Sequence, residues 1–327
     1  ALAARAESLH GPKSASLRLS IIGRLRDVSI ASNDTHALLL AHTRALTAHL
    51  ELGDIVSVEA ENEHYRAIAA RTELPQYRWY PTAHDSMLAL LRGELVESAA
   101  LSAQFRKIAG ENPDQNCIQT FVAQEALRAV EQDRASDIAG MIKLFAKEQI
   151  WMYHWRVAVP WFACEHRDYA AAQQNLNQIE KSDFDSMSRE PGGGQALAMA
   201  SEVAATLRDE KKMPQLYDLV APLTDRCATI GYGVGYFGSF ARYAGLLARS
   251  LGDIDASIEH FKDACMHEEK RGAISWLAYA EADLAKSMRL AGASSAECDA
   301  RLIPITARIR GVNLPRALRC LESAYLN

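Results

Sequence analysis

The chain carries 327 residues, with 55 alanines and 36 leucines against only 18 glycines and 10 prolines, a balance that favours helices over a β-sandwich, a collagen-like repeat or a disordered chain. Its 36 basic and 41 acidic residues leave a net charge of -5, so no general electrostatic attraction to nucleic acid or anionic lipid is expected. Apolar runs fall short of the roughly 20 residues needed to cross a bilayer.

The first residues, Ala1-Leu2-Ala3-Ala4-Arg5-Ala6, read as the middle of a helix and not as a signal peptide, which suggests a piece of a longer protein. Residues 1–39 are expected to form N-terminal helices. From residue 40 onward short breaks recur, at Leu52-Gly53-Asp54, Arg92-Gly93-Glu94, Glu131-Gln132-Asp133, Arg167-Asp168-Tyr169, Arg208-Asp209-Glu210, Leu251-Gly252-Asp253 and Ala291-Gly292. Their spacing, near 40 residues, is that of a helix-turn-helix unit. Residues 293–327 would be C-terminal capping helices.

Within this series the aromatic residues gather toward the first helix of each unit. Tyr77, Arg78, Trp79 and Tyr80 form the first cluster, and Trp151, Tyr153, Trp155, Arg156, Trp161 and Phe162 the second. Trp276 and Tyr279 form the third. Packing between helices accounts for most such rings, whereas at least one cluster facing a groove would offer a peptide, a helix or a ring-bearing ligand a surface. Among these, Tyr77, Arg78, Trp79, Tyr80, Trp151, Trp155, Arg156, Trp276 and Tyr279 are the candidate binding residues.

The sequence around Gly252 shows the unit best. Phe237, Phe240, Ala244, Leu247 and Leu251 recur at steps of three or four and predict one helix running into Gly252, and Ile254, Ile258, Phe261 and Cys265 predict the next. Gly252 suits the left-handed residue that ends a helix, and Asp253 or Asp255 can cap its successor. Small residues at Gly245, Ser257 and Ala264, with Phe261 between them, resemble the tetratricopeptide pattern. The order of the segments 76–80, 87–93, 155–156, 216–222 and 238–247 is similar to the C-terminal tetratricopeptide-like region of large bacterial ATPase regulators. These include LuxR-type transcription factors and ATPase-linked class III adenylate cyclases. The resemblance covers roughly residues 40 to 292 and is weakest over 94–145. It implies an all-α, right-handed α-solenoid of about seven tetratricopeptide-like repeats, serving as a non-catalytic sensory or protein-interaction module in a cytoplasmic regulator. The implied partner is a protein or peptide, a fused ATPase domain, or a small-molecule effector. A passive oligomerisation scaffold is the alternative, and a catalytic helical array a more distant one.

Chemistry-bearing motifs are sparse. Gly233-Val234-Gly235-Tyr236-Phe237-Gly238 fits GxGxxG, but residues 224–230 show no strand-like run, so the glycines are expected to lead into a helix and no nucleotide cofactor is expected. Gly11-Pro12-Lys13-Ser14 lacks the loop of a phosphate-binding Walker motif. Asp253-Ile254-Asp255 begins like a calcium loop, yet Ile258 and Ala264 stand where glycine and glutamate are required, and helix capping is the better reading. The six cysteines are scattered without a CxxC pair and suggest free thiols in a reducing compartment, and no metal is expected at Cys164-Glu165-His166 or Cys265-Met266-His267. His36, His42 and His49 form only a loose stripe, and Glu59, Glu61 and Glu63 are expected on a solvated helix face.

Overall fold

A computed structural model describes residues 1–9, 11–72, 74–149, 152–179, 181–187, 189–190 and 192–326. The chain starts with α1 (Leu2–Glu7), α2 (Ala15–Ala31), α3 (Thr35–Glu51), α4 (Ile55–Ala69), α5 (Tyr80–Leu91) and α6 (Leu95–Ala109). It continues through α7 (Gln115–Glu131), α8 (Ala135–Glu148), α9 (Tyr153–Glu165), α10 (Tyr169–Leu176), α11 (Lys181–Met187), α12 (Gly193–Leu207) and α13 (Met213–Val220). A short hairpin, β1 (Cys227–Ile230) and β2 (Gly235–Ser239), precedes α14 (Phe240–Ser250), α15 (Ile254–Arg271), α16 (Ile274–Leu290), α17 (Ser295–Val312) and α18 (Pro315–Leu326). Among the described residues the fold is therefore all-α with one small ribbon.

Each of the seven recurring breaks is a joint between two helices. The left-handed residues at these joints are Gly53, Gly93, Asp133, Arg167, Arg208, Gly252 and Gly292. Three joints thus use a side-chain-bearing residue where glycine is the usual choice. The next helix is then started by local chemistry: Asp54, Asp168 and Asp253 each accept a hydrogen bond from a backbone N–H three residues on. Asp253 Oδ1 accepts from Ala256 N at 3.0 Å, so the calcium-like run is a helix cap.

Joined helices pack against each other, and α14 against α15 shows how closely. A Cβ on Gly245 would lie 2.7 Å from the ring of Phe261, which is fully buried. The small residue lets the two backbones approach and the ring fills the remaining space.

One expectation fails at 224–238. Cys227 pairs with Ser239, Thr229 with Tyr236 and Ile230 with Gly235 in an antiparallel register that shifts between Cys227 and Thr229. Phe237 therefore lies on a strand, and the helix begins only at Phe240. Both strands are buried along their whole length, so neither shows the polar–apolar alternation by which a half-exposed strand is recognised. The GxGxxG residues serve the hairpin. Gly233 turns the chain at φ 74°, and Gly238 at φ 80° leaves room for Trp276, whose ring would lie 2.5 Å from a Cβ there.

The C-terminal helix returns into the body of the protein and is held by buried charges. Arg316 on α18 donates from Nε and Nη2 to the two carboxylate oxygens of Glu165 on α9, at 2.8 and 2.5 Å. Its guanidinium lies 4.3 Å from the Tyr279 ring centre, and Tyr279 in turn donates to Glu131 on α7 at 2.5 Å. Arg242 pairs with Glu202 at 2.9 Å and with Asp283 at 3.0 Å, Arg249 also reaches Asp283, and Trp161 Nε1 donates to Glu202 at 2.8 Å. The cluster joins α7, α9, α12, α14, α16 and α18. Burial raises the Glu131 carboxyl, the direction that relieves the excess of carboxylates over guanidiniums.

Two stability outcomes follow. Gly245→Leu should cost on the order of 1 to 3 kcal/mol or more in denaturant unfolding, because the added side chain meets Phe261; a variant as stable as the parent would contradict the packing. Arg316→Met, which leaves Glu165 buried without its partner, should cost about 3 to 5 kcal/mol, and the double variant Arg316→Met/Glu165→Met should recover a large part of that loss.

Candidate functional site

A cavity of about 410 Å³ lies where α2, α3, α5, α7, α8, α9, α12 and the hairpin converge. Its wall is largely apolar, from Ile22, Leu127, Ile142, Trp161, Phe162, Met199 and Ile230 among others. Exposed Asn116, Gly231 and Tyr232 also border it. The volume falls within the range of small-molecule sites, roughly 300 to 1,000 Å³.

Two of the sequence-predicted residues stand in this wall: Tyr80, at the start of α5, and Trp155, in the first turn of α9. The others do not. Trp79 stacks on Tyr80 with ring centres 3.8 Å apart and is buried with Tyr65 and Phe105. Tyr77 is half-buried against His36, and Arg78 is exposed and donates to Thr72 O at 2.7 Å. Arg156 pairs with Asp183 at 3.3 Å. Trp276 and Tyr279 are buried, the first against Tyr236 and Phe237 of the hairpin, the second under Arg316. Trp151 lies outside the described residues. The chain's own hairpin and α18 thus cover the third cluster.

The wall also contains polar groups that the sequence did not single out. Arg18 on α2 and Glu51 on α3 form a buried ion pair. Burial pushes the Glu51 carboxyl up to about 7 against the pull of Arg18. Arg44 lies 3.7 Å above the Tyr232 ring centre. Among the described residues, four in the wall carry a buried polar atom without a hydrogen-bond partner: Arg18 Nε, His154 Nδ1, Trp155 Nε1 and Gln195 Oε1. Such atoms cost free energy until something pairs with them. The only sequence signal near them is the run Gly192-Gly193-Gly194, which opens α12 without a side-chain cap and borders the cavity.

The hairpin turn is fixed from below. His84 Nε2 lies 3.1 Å from Tyr232 O, and Gln124 Nε2 donates to Val234 O at 2.9 Å and Ala83 O at 2.8 Å. One wall of the cavity is thereby tied to α5 and α7.

Outside the cavity, His42, Glu61 and His64 bring three ligand-type atoms within 4.8 Å of one another. Glu61 is already bonded by Arg26 at 2.7 Å and by His42 at 2.6 Å, so both of its carboxylate oxygens are engaged, and His64 is exposed. Glu61 therefore leaves the solvated face expected for it, whereas Glu59 and Glu63 are exposed. His49 lies 3.6 Å from Asp54, and the three histidines of the stripe serve different partners.

No protein-family model matches the sequence, and no curated protein matches it significantly. Among the described residues, no helix is long and apolar enough to cross a membrane.

Titration of the wall should be measurable. Burial lowers His154 from 6.5 to about 4, so the folded state holds it neutral where the unfolded chain is protonated. Its contribution is complete above 6.5 and lost as pH falls toward 4. Glu51 has the opposite sign: its raised carboxyl takes up a proton in the fold between 7 and 4.5, where acidification favours folding. His154→Leu should accordingly flatten the decline of unfolding free energy between pH 6.5 and 4, measured by denaturant titration at each pH. Parallel curves for the two proteins would show that His154 is not held neutral.

Proposed function

We propose that the chain is a non-catalytic, tetratricopeptide-like sensory module of a bacterial cytoplasmic regulator, which binds a small molecule in its central cavity and biases a fused ATPase or output domain. The observation that carries the reading is the cavity itself. Rings and aliphatic side chains from separate helix pairs converge on one space of ligand size, beside polar atoms that have no partner within the protein. The seven helix joints at a period near 40 residues support the repeat part of the reading, a right-handed superhelix of about seven units.

A small effector is favoured over a peptide or helix because Trp276 and Tyr279, two of the rings expected to face a groove, are covered by the hairpin and α18. The coupling would be mechanical. Residues of α2, α3, α5, α7, α8, α9 and α12 all touch the ligand space, so a ligand that fits one arrangement of these helices better than another shifts their population and the position of whatever is fused to them.

The test uses N-phenyl-1-naphthylamine, a neutral apolar dye whose emission rises on leaving water. It should bind the 327-residue chain saturably at one site. Ala123→Trp, which puts a large ring into the wall of the cavity, should weaken that binding at least about ten-fold while leaving the helical circular dichroism unchanged. Non-saturable binding, or equal binding by the variant, would overturn the cavity as a ligand site.

A further inference from the structure

Away from the cavity, the packing of α3 on α4 brings two imidazoles and a carboxylate together. His42 lies in the middle of α3, while Glu61 and His64 stand three residues apart on α4 and therefore project from one side of that helix. One donor atom from each of the three falls within 4.8 Å of the other two. The ring centres of His42 and His64 are 5.7 Å apart, with the planes tilted by 49°. His42 is 5% exposed and Glu61 8%, whereas His64 is exposed, so the fold holds two donors in place and leaves the third free to adjust.

The ion pair explains only part of this cluster. Arg26 Nη2 donates to Glu61 Oε1 at 2.7 Å, and His42 Nδ1 lies 2.6 Å from Glu61 Oε2. His64 belongs to neither contact. Among the described residues it makes no hydrogen bond, and a neutral imidazole carries an unshared electron pair on one of its nitrogens.

The separations suit one small cation. With bonds of about 2.0 to 2.2 Å, the ligand atoms of a tetrahedral zinc ion stand about 3.4 Å apart. The contact between His42 and Glu61 is shorter because a hydrogen lies between the two atoms, and a bound metal replaces that hydrogen. The widest gap, at most 4.8 Å, closes by rotation of the exposed His64 side chain.

Arg26 is compatible with a metal at this place. It engages one oxygen of Glu61 and leaves the other to the cation, and carboxylates that ligate metals are ordinarily hydrogen-bonded in this way. Its side chain is 31% exposed, so water and salt weaken its repulsion of a dication. The donor set then decides which ion fits. Magnesium and calcium take six or more oxygen ligands, which one carboxylate and two imidazoles do not supply. Copper(I) prefers sulfur, and the group contains no cysteine. Two nitrogens and one oxygen suit zinc, with a fourth position left for water.

We infer that His42, Glu61 and His64 form a binding site for a single zinc ion, with Arg26 bracing the carboxylate and water completing the coordination. This inference does not depend on the cavity being a ligand site.

The experiment uses the 327-residue chain, freed of metal with EDTA and titrated with zinc chloride by calorimetry and with cobalt(II) by absorption. One zinc should bind per chain with a Kd below about 100 μM and raise the melting temperature. His64→Asn changes an exposed position, so the variant should keep the circular dichroism and metal-free melting temperature of the parent while binding zinc at least about ten-fold more weakly. His166→Asn, which removes the imidazole beside Cys164, should bind zinc as the parent does. Cobalt should give the visible bands of a four-coordinate centre without the near-ultraviolet band of a thiolate ligand. A Kd above about 100 μM, equal binding by His64→Asn, a thiolate band, or loss of binding in His166→Asn would each overturn the site.

Discussion

The shape of the molecule depends on a cluster of charges that have been taken out of water together. Arg316, Arg242 and Arg249 meet Glu165, Glu202, Asp283 and Glu131 at the centre of six helices. Each charge alone would be costly to bury, and the cost is offset only when all partners are in place at once. The cluster therefore favours one arrangement of the helices and disfavours those that leave a charge without its partner. It also holds α18 inside the fold, which in turn covers Tyr279.

The hairpin plays the corresponding part on the other side. It is too short to stand alone, and it is stabilised by burial and by the hydrogen bonds from Gln124 and the contact with His84. Its turn borders the cavity while its second strand packs Tyr236 and Phe237 against Trp276. The cavity and the covered aromatic cluster are thus two sides of one inserted ribbon.

What could be read from the sequence follows how local the physics is. The helix joints were legible because a left-handed residue followed by a capping aspartate acts within four or five residues; Gly252 and Asp253 declare themselves. The close pair Gly245 and Phe261 was legible because the two lie on consecutive helices on either side of a single joint. The hairpin was not, since strands buried on both faces look like any short apolar run. Nor was the cavity: Tyr80 and Trp155 were found as aromatic residues, but Arg18, Glu51, His154 and Gln195 come to line one cavity only through contacts between distant segments. The direction of a ring is likewise invisible in spacing alone, and Trp79 and Tyr80 are neighbours of which only the second reaches the cavity.

A chain of similar helix pairs ordinarily lengthens or shortens with ease, because each pair touches little beyond its neighbours. Here Arg316 grips Glu165 across 151 positions and Arg319 grips Asp133 across 186. These two clasps count the pairs between them. Insertion or loss of a helix pair inside that interval would carry α18 away from its partners, so these contacts fix how much chain can lie between α7 and the C-terminal helix.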